Sequence, residues 1–192
     1  MGNTFLRRVG YDLDIHGQVG VSYQLLGDSA RASEHIAKAA EGDALWALHW
    51  AGLFYDQAND RGRAEELWRR GLVMSEAILA TYPENPVPQA FRGIFRSLLT
   101  GEAEFLIEAE RTWAAKGHRG GWEIENVVLA KVKLGDIEGA IELLRDRVRQ
   151  GRVFQFWENG LIVGSLSLPD SEALRQFRAE HAALKAELAS KY

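Results

Sequence analysis

An active site needs a nucleophile beside a base, paired carboxylates, clustered metal ligands or a phosphate-cradling loop. This chain of 192 residues offers few of these in working order. Its five histidines, His16, His35, His49, His118 and His181, are scattered. None falls in an HExxH or at metal-ligand spacing. His35 is expected on the outer, solvated face of a helix, and His181 on an apolar stripe as a packed ring. GHRGG (117–121) is rich in glycine but follows a helix and lacks the Lys-Ser/Thr of a phosphate loop, so it reads as a turn. There is no GxSxG elbow. Glu65 and Glu66 are adjacent, so on a helix they do not face each other. With no cysteine, disulfides, thiolate catalysis and thiolate metal ligation are excluded. No catalytic set, metal or cofactor is expected.

Charge narrows the partners. The net charge is −4, so no basic surplus drives binding to nucleic acid. Arg145, Arg147, Arg149 and Arg152 form a basic run, but Glu142 and Asp146 interleave with it, and a helix C-terminus favours cations anyway. Apolar content of 46% and charged content of 26% are those of a soluble globular protein. No apolar run approaches the ~20 residues of a membrane helix. MGNTFLRRVG lacks a signal-peptide apolar region, and Leu6 breaks the myristoylation pattern. The expectation is a soluble cytoplasmic protein without membrane attachment.

The elements that would position any site come from a repeated phrase. LGDSARASEHI (26–36) and LGDIEGAIELL (134–144) share Leu-Gly-Asp, then Ala, then a large apolar residue. Gly27 and Gly135 suit the left-handed end of a helix. Asp28 and Asp136 suit the cap of the next. Each phrase therefore predicts helix, tight turn, helix, with Ala32 and Ala140 where the two helices cross. The register recurs. Gly20 and Tyr23 precede Ala32, Ile36 and Ala39; Gly52 and Tyr55 precede Ala64, Trp68 and Gly71. A third hairpin is predicted at Val87–Leu99 and Glu102–Lys116, and a fourth over Trp122–Arg149. Residues 152–168 read as a fifth first-type helix, about Val153–Val163 and broken by Gly164, or else as two strands. In the last stretch Ser167 or Asp170 caps a helix and Pro169 fits its first turn. Leu174, Phe177, His181, Leu184 and Leu188 then form one apolar stripe. That helix caps the array or pairs with a second copy.

Small-x-x-Tyr, then Ala, a large apolar residue and a small one resembles the tetratricopeptide repeat. YPENP (82–86) resembles its proline-bearing junction. The likeness covers residues 11–150, with Arg96 and Lys131 at the aromatic position of the third and fourth units. The resemblance implies an all-α, right-handed α-solenoid of four to five TPR-like hairpins (11–42, 43–82, 86–117, 121–150, degenerate 152–166) with a capping helix over 168–191. A plain helical bundle is the alternative. First helices would line a concave groove. Its partner-binding candidates are Trp46, His49, Leu53, Gln57, Phe91, Ile94, Trp122, Asn126, Lys133, Phe154 and Trp157. Trp50, Trp68 and Trp113 are expected to pack between hairpins. Chaperone-binding members clamp a terminal carboxylate with a Lys and Asn pair; Gly17 and Val21 stand at those places, which points instead to an apolar or helical cargo. The expected function is a non-catalytic protein-interaction scaffold, with homodimerisation through the last helix as a further expectation. The alternative is a small-molecule sensor enclosing an apolar ligand.

Overall fold

The structure is a computed structural model and describes residues 15–24, 26–42, 44–115, 123–151 and 170–190. These residues are all-helical: α1 (15–24), α2 (Ser29–Ala40), α3 (Leu45–Gln57), α4 (Arg61–Thr81), α5 (Pro86–Thr100), α6 (Glu104–Ala115), α7 (Glu123–Lys133), α8 (Ile137–Arg149) and α9 (Glu172–Ala189). Among the described residues there is no strand. The fifth helix expected over 152–168 lies outside them.

The repeated phrase builds one joint three times. Gly27, Asn59 and Gly135 adopt φ of 78°, 62° and 84°. The N–H of the following Asp28, Asp60 or Asp136 reaches back to the carbonyl of Tyr23, Tyr55 or Lys131, at 3.0, 2.8 and 2.9 Å. That bond closes the preceding helix. The same aspartate then caps the next helix, its carboxylate accepting from the N–H of Arg31, Arg63 or Gly139 at 3.1, 3.2 and 3.0 Å. One residue thus satisfies orphan groups of two helices. The middle joint uses Asn rather than Gly, since asparagine tolerates the left-handed region. The α5–α6 joint differs: Gly101 (φ 80°) closes α5 onto Ser97, and no aspartate follows.

The joints fold consecutive helices onto each other. α3 packs on α2 and α4, α5 on α4 and α6, α8 on α7 and α9. At the crossings Ala32, Ala64 and Ala140 are fully buried, as expected of a methyl where two backbones approach. At Gly52 the bare Cα receives the edge of the buried Trp68 ring. The α4–α5 link carries the proline junction: Asn85 caps α5, accepting from Val87 N at 3.1 Å, with Pro86 in the first turn. The α9 cap is Ser171, which accepts from Leu174 N at 3.1 Å. Asp170, one of the two expected caps, is not the cap; the expected Ser167 and Pro169 lie outside the described residues. Leu174, Phe177 and His181 are buried against α8, and Arg145 ties the two helices through Glu180 at 2.7 Å. No helix among the described residues is long and apolar enough to cross a membrane.

Candidate binding surface

The residues expected to line the groove come from α3, α5 and α7, and these helices meet each other. α7 packs along α5 and also reaches α3, although α5 lies between them in sequence. The consequence is burial. His49, Phe91 and Ile94 are fully buried, Leu53 is 1% exposed and Asn126 3%. These five were expected on an open groove; they form interior wall instead. The correction has a simple cause. Helical periodicity assigns them to one face, and α7 closes over that face.

The closure is made by polar contacts. Asn126 Oδ1 accepts from Trp50 Nε1 at 3.0 Å and lies 2.9 Å from His49 Nδ1. A carbonyl oxygen only accepts, so His49 Nδ1 carries the proton and its Nε2 is a bare acceptor. Among the described residues that Nε2 has no partner, and the ring stands edge-on to Phe91 and Phe95, 6.4 Å from each centroid. Desolvation, against a smaller opposing effect of Asn126, pulls the His49 pKa down to about 4, so the ring is neutral at pH 7.

At the far end of α3, Asp56 forms ion pairs with Lys133 of α7 and with Arg61 of α4, the latter at 3.0 Å. Burial works against its charged form, yet the hydrogen bonds from Lys133 and Arg61 prevail and hold its carboxyl below the usual range. Arg61 also bonds Glu65 at 3.0 Å and the Leu98 carbonyl of α5 at 3.1 Å. Lys133, expected to meet a partner, is therefore engaged within the chain. Gln57 is half-buried.

Trp46 is half-buried. Its ring lies over the bare Cα of Gly17 and stands edge-on to Trp50, 6.4 Å away. A lysine at position 17, as in a carboxylate clamp, has no room there. Trp50 (9% exposed) and Trp68 (fully buried) pack as expected. Trp122, Phe154 and Trp157 lie outside the described residues, as does the Trp113 side chain.

The aromatic position of the repeat shows what sequence reading missed. Arg31 lies over the Tyr23 ring and Arg63 over the Tyr55 ring, both at 5.4 Å. Between α5 and α6 the partners are exchanged: Arg96 stands at the tyrosine place and lies over Phe105 at 5.9 Å. In the last hairpin Lys131, 5% exposed, reaches Glu110 at 3.1 Å and Asp136 at 2.9 Å. Burial raises the pKa of Glu110 despite the opposing Lys131 charge. Nearby on α7, Glu125 is half-buried, and desolvation pushes its pKa up to about 7.

His35 also differs from expectation. It is half-buried, its Nδ1 lies 2.8 Å from that of His16, and Tyr23 stacks on it. His181 is the packed ring expected, stacked on Phe177. Outer surfaces are open as well, among them the following two. One lies on α4, around Glu66, Arg69, Arg70, Val73, Met74 and Ala77. The other is a polar cleft between α5 and α6. Among the described residues no three His, Asp or Glu side chains gather as metal ligands. No family model, no curated protein and no solved structure matches this chain.

Proposed function

We propose that the chain is a tetratricopeptide-like, right-handed α-solenoid that acts as a non-catalytic docking module for a segment of another protein. The observation that carries this reading is the joint built three times in one register. Each joint has a left-handed residue, then an aspartate bonded back to Tyr23, Tyr55 or Lys131 and forward into the next helix. An array whose joints are fixed in this way presents first-helix side chains as a rigid surface at little ordering cost on binding.

The docking surface is smaller than an open groove. Trp46 and Gln57, near the two ends of α3, are its half-buried part on that helix, and Lys133 of α7 pairs with Asp56 at the Gln57 end. His49, Leu53, Phe91, Ile94 and Asn126 stiffen the wall behind. A half-buried tryptophan at one end of α3 and an ion-paired Asp56 at the other suit an apolar or helical segment with a polar terminus. The test is a photo-crosslinking residue placed at Gln57 or, separately, at Val73, in the native lysate. Adducts to one defined protein from position 57, lost on Trp46→Ala, are the expected result. Adducts only from position 73, or none from either, would overturn the assignment.

A further inference from the structure

We propose that the cleft between α5 and α6 binds a free α-amino acid, Arg92 taking its carboxylate and Glu108 its ammonium. The cleft holds about 300 Å³, at the small end of ligand pockets. One wall is a face of α5 that steps by three and four residues through Gln89, Arg92 and Arg96. The other is the matching face of α6, through Phe105, Glu108 and Thr112. The two helices approach most closely at Gly93, where an added Cβ would stand 2.8 Å from the Phe105 carbonyl oxygen and 3.0 Å from Ala109 Cβ. That approach fixes the spacing of the walls.

The charges on the walls select the ligand. Arg92 is half-buried, and among the described residues its guanidinium meets no acceptor. Glu108 stands on the opposite wall, and among the described residues its carboxylate meets no cation. The two do not pair with each other across the cleft. Opposite charges that line one small space, each without a partner in the chain, complement a ligand that carries both signs close together. A planar carboxylate also matches the guanidinium fork of Arg92. Arg96 is paired to Glu76 at 2.7 Å and lies over the Phe105 ring, so it adds positive field without being the main anchor. Gln89 is held by its Nε2, which donates to the Pro83 carbonyl at 2.6 Å, while its buried Oε1 has no partner among the described residues. That bare carbonyl dipole and the Glu108 charge both act against a ligand that is only an anion, such as phosphate. The cleft shares no residue with the Trp46–Gln57 surface, so it is a second site.

The test uses the full chain and a panel of the proteinogenic L-amino acids at millimolar concentration, read first by melting temperature and then by nitrogen–proton NMR titration. At least one amino acid should raise the melting temperature and shift the amides of α5 and α6 saturably. Its deaminated carboxylic acid and its decarboxylated amine each keep one charge, and each should bind at least about tenfold more weakly. Arg92→Gln and Glu108→Gln should each weaken binding of the intact amino acid about tenfold. Neither side chain is paired within the chain, so both variants should melt as the parent does without ligand. Inorganic phosphate should give no saturable shift. No response to any amino acid, a carboxylic acid that binds as tightly as its amino acid, phosphate binding at the same amides, or full affinity in both variants would each overturn the site.

Discussion

Asn126→Ala removes one carbonyl oxygen that serves two buried donors, His49 Nδ1–H and Trp50 Nε1–H. Both donors sit in the interior, and neither can turn to water without leaving it. A buried donor stripped of its partner costs about 1–3 kcal/mol, so the pair costs about 2–6 kcal/mol. That is a large share of the ~5–15 kcal/mol that holds a domain folded. At ~2–4 °C per kcal/mol for a chain of this size, the melting temperature should fall by roughly 5–20 °C. Thermal and urea unfolding measure it directly. The same substitution in a His49→Phe background strands one donor instead of two, so its cost should drop by about half. A loss under about 2 °C, or an equal loss in both backgrounds, would refute the claim that this amide ties α3 to α7.

The pH profile should show two opposed slopes. His49 is held at about 4 against 6.5 when unfolded, so the unfolded chain takes up the proton first and stability falls by about 3 kcal/mol as pH drops from 6.5 to 4. Glu125 is raised from 4.5 to about 7, so its stabilisation is present below pH 4.5 and lost, by a similar amount, as pH rises through 7. Urea midpoints of the parent chain should be nearly flat between pH 4.5 and 6.5, with Glu125→Gln exposing the acid-side loss and His49→Phe the alkaline-side loss. Two unaltered profiles would contradict both assignments. Gly52→Ala puts a Cβ 2.6 Å from Trp68 Cδ1 and 2.8 Å from Cε2, in a ring with no free space. The clash should outweigh the helix-propensity gain of up to ~1 kcal/mol and lower stability by on the order of 1–3 kcal/mol, with a shift in tryptophan emission. Lys131→Met strands the Glu110 carboxylate and should cost about 3–5 kcal/mol, whereas Lys131→Met with Glu110→Leu should recover most of it in the same unfolding assay.

What the sequence made legible was local. Gly27-Asp28 and Gly135-Asp136 announce their joints because positive φ and helix capping are set by a few adjacent residues. Asn59-Asp60 does the same work and carried the same signal, an asparagine in place of glycine. The expected α5 and α6 fall within a few residues of their observed limits, and α7 and α8 lie within the expected fourth hairpin, for the same reason. The open groove was not legible. Periodicity places His49, Phe91 and Asn126 on one face, but whether that face meets solvent depends on how sharply successive hairpins turn. The contact that closes it joins residues 77 positions apart. His35 fails similarly: its helix face looked solvated because the ring that meets it, His16, belongs to another helix. The exchange of Arg96 and Phe105 hid the third aromatic pair, since a fixed template finds an arginine where it asks for a ring.

The α3–α7 tie also bears on cooperativity. In an array whose hairpins touch only their neighbours, unfolding can spread one hairpin at a time, and an inner hairpin can fray while those flanking it hold. Here α3, α5 and α7 contact one another in a closed triangle. Opening α5 alone would leave α3 and α7 joined through Asn126 and Lys133 across the gap, so the three helices gain or lose their protection together. Slow amide exchange in this chain would then mark a single central block rather than a gradient from either end.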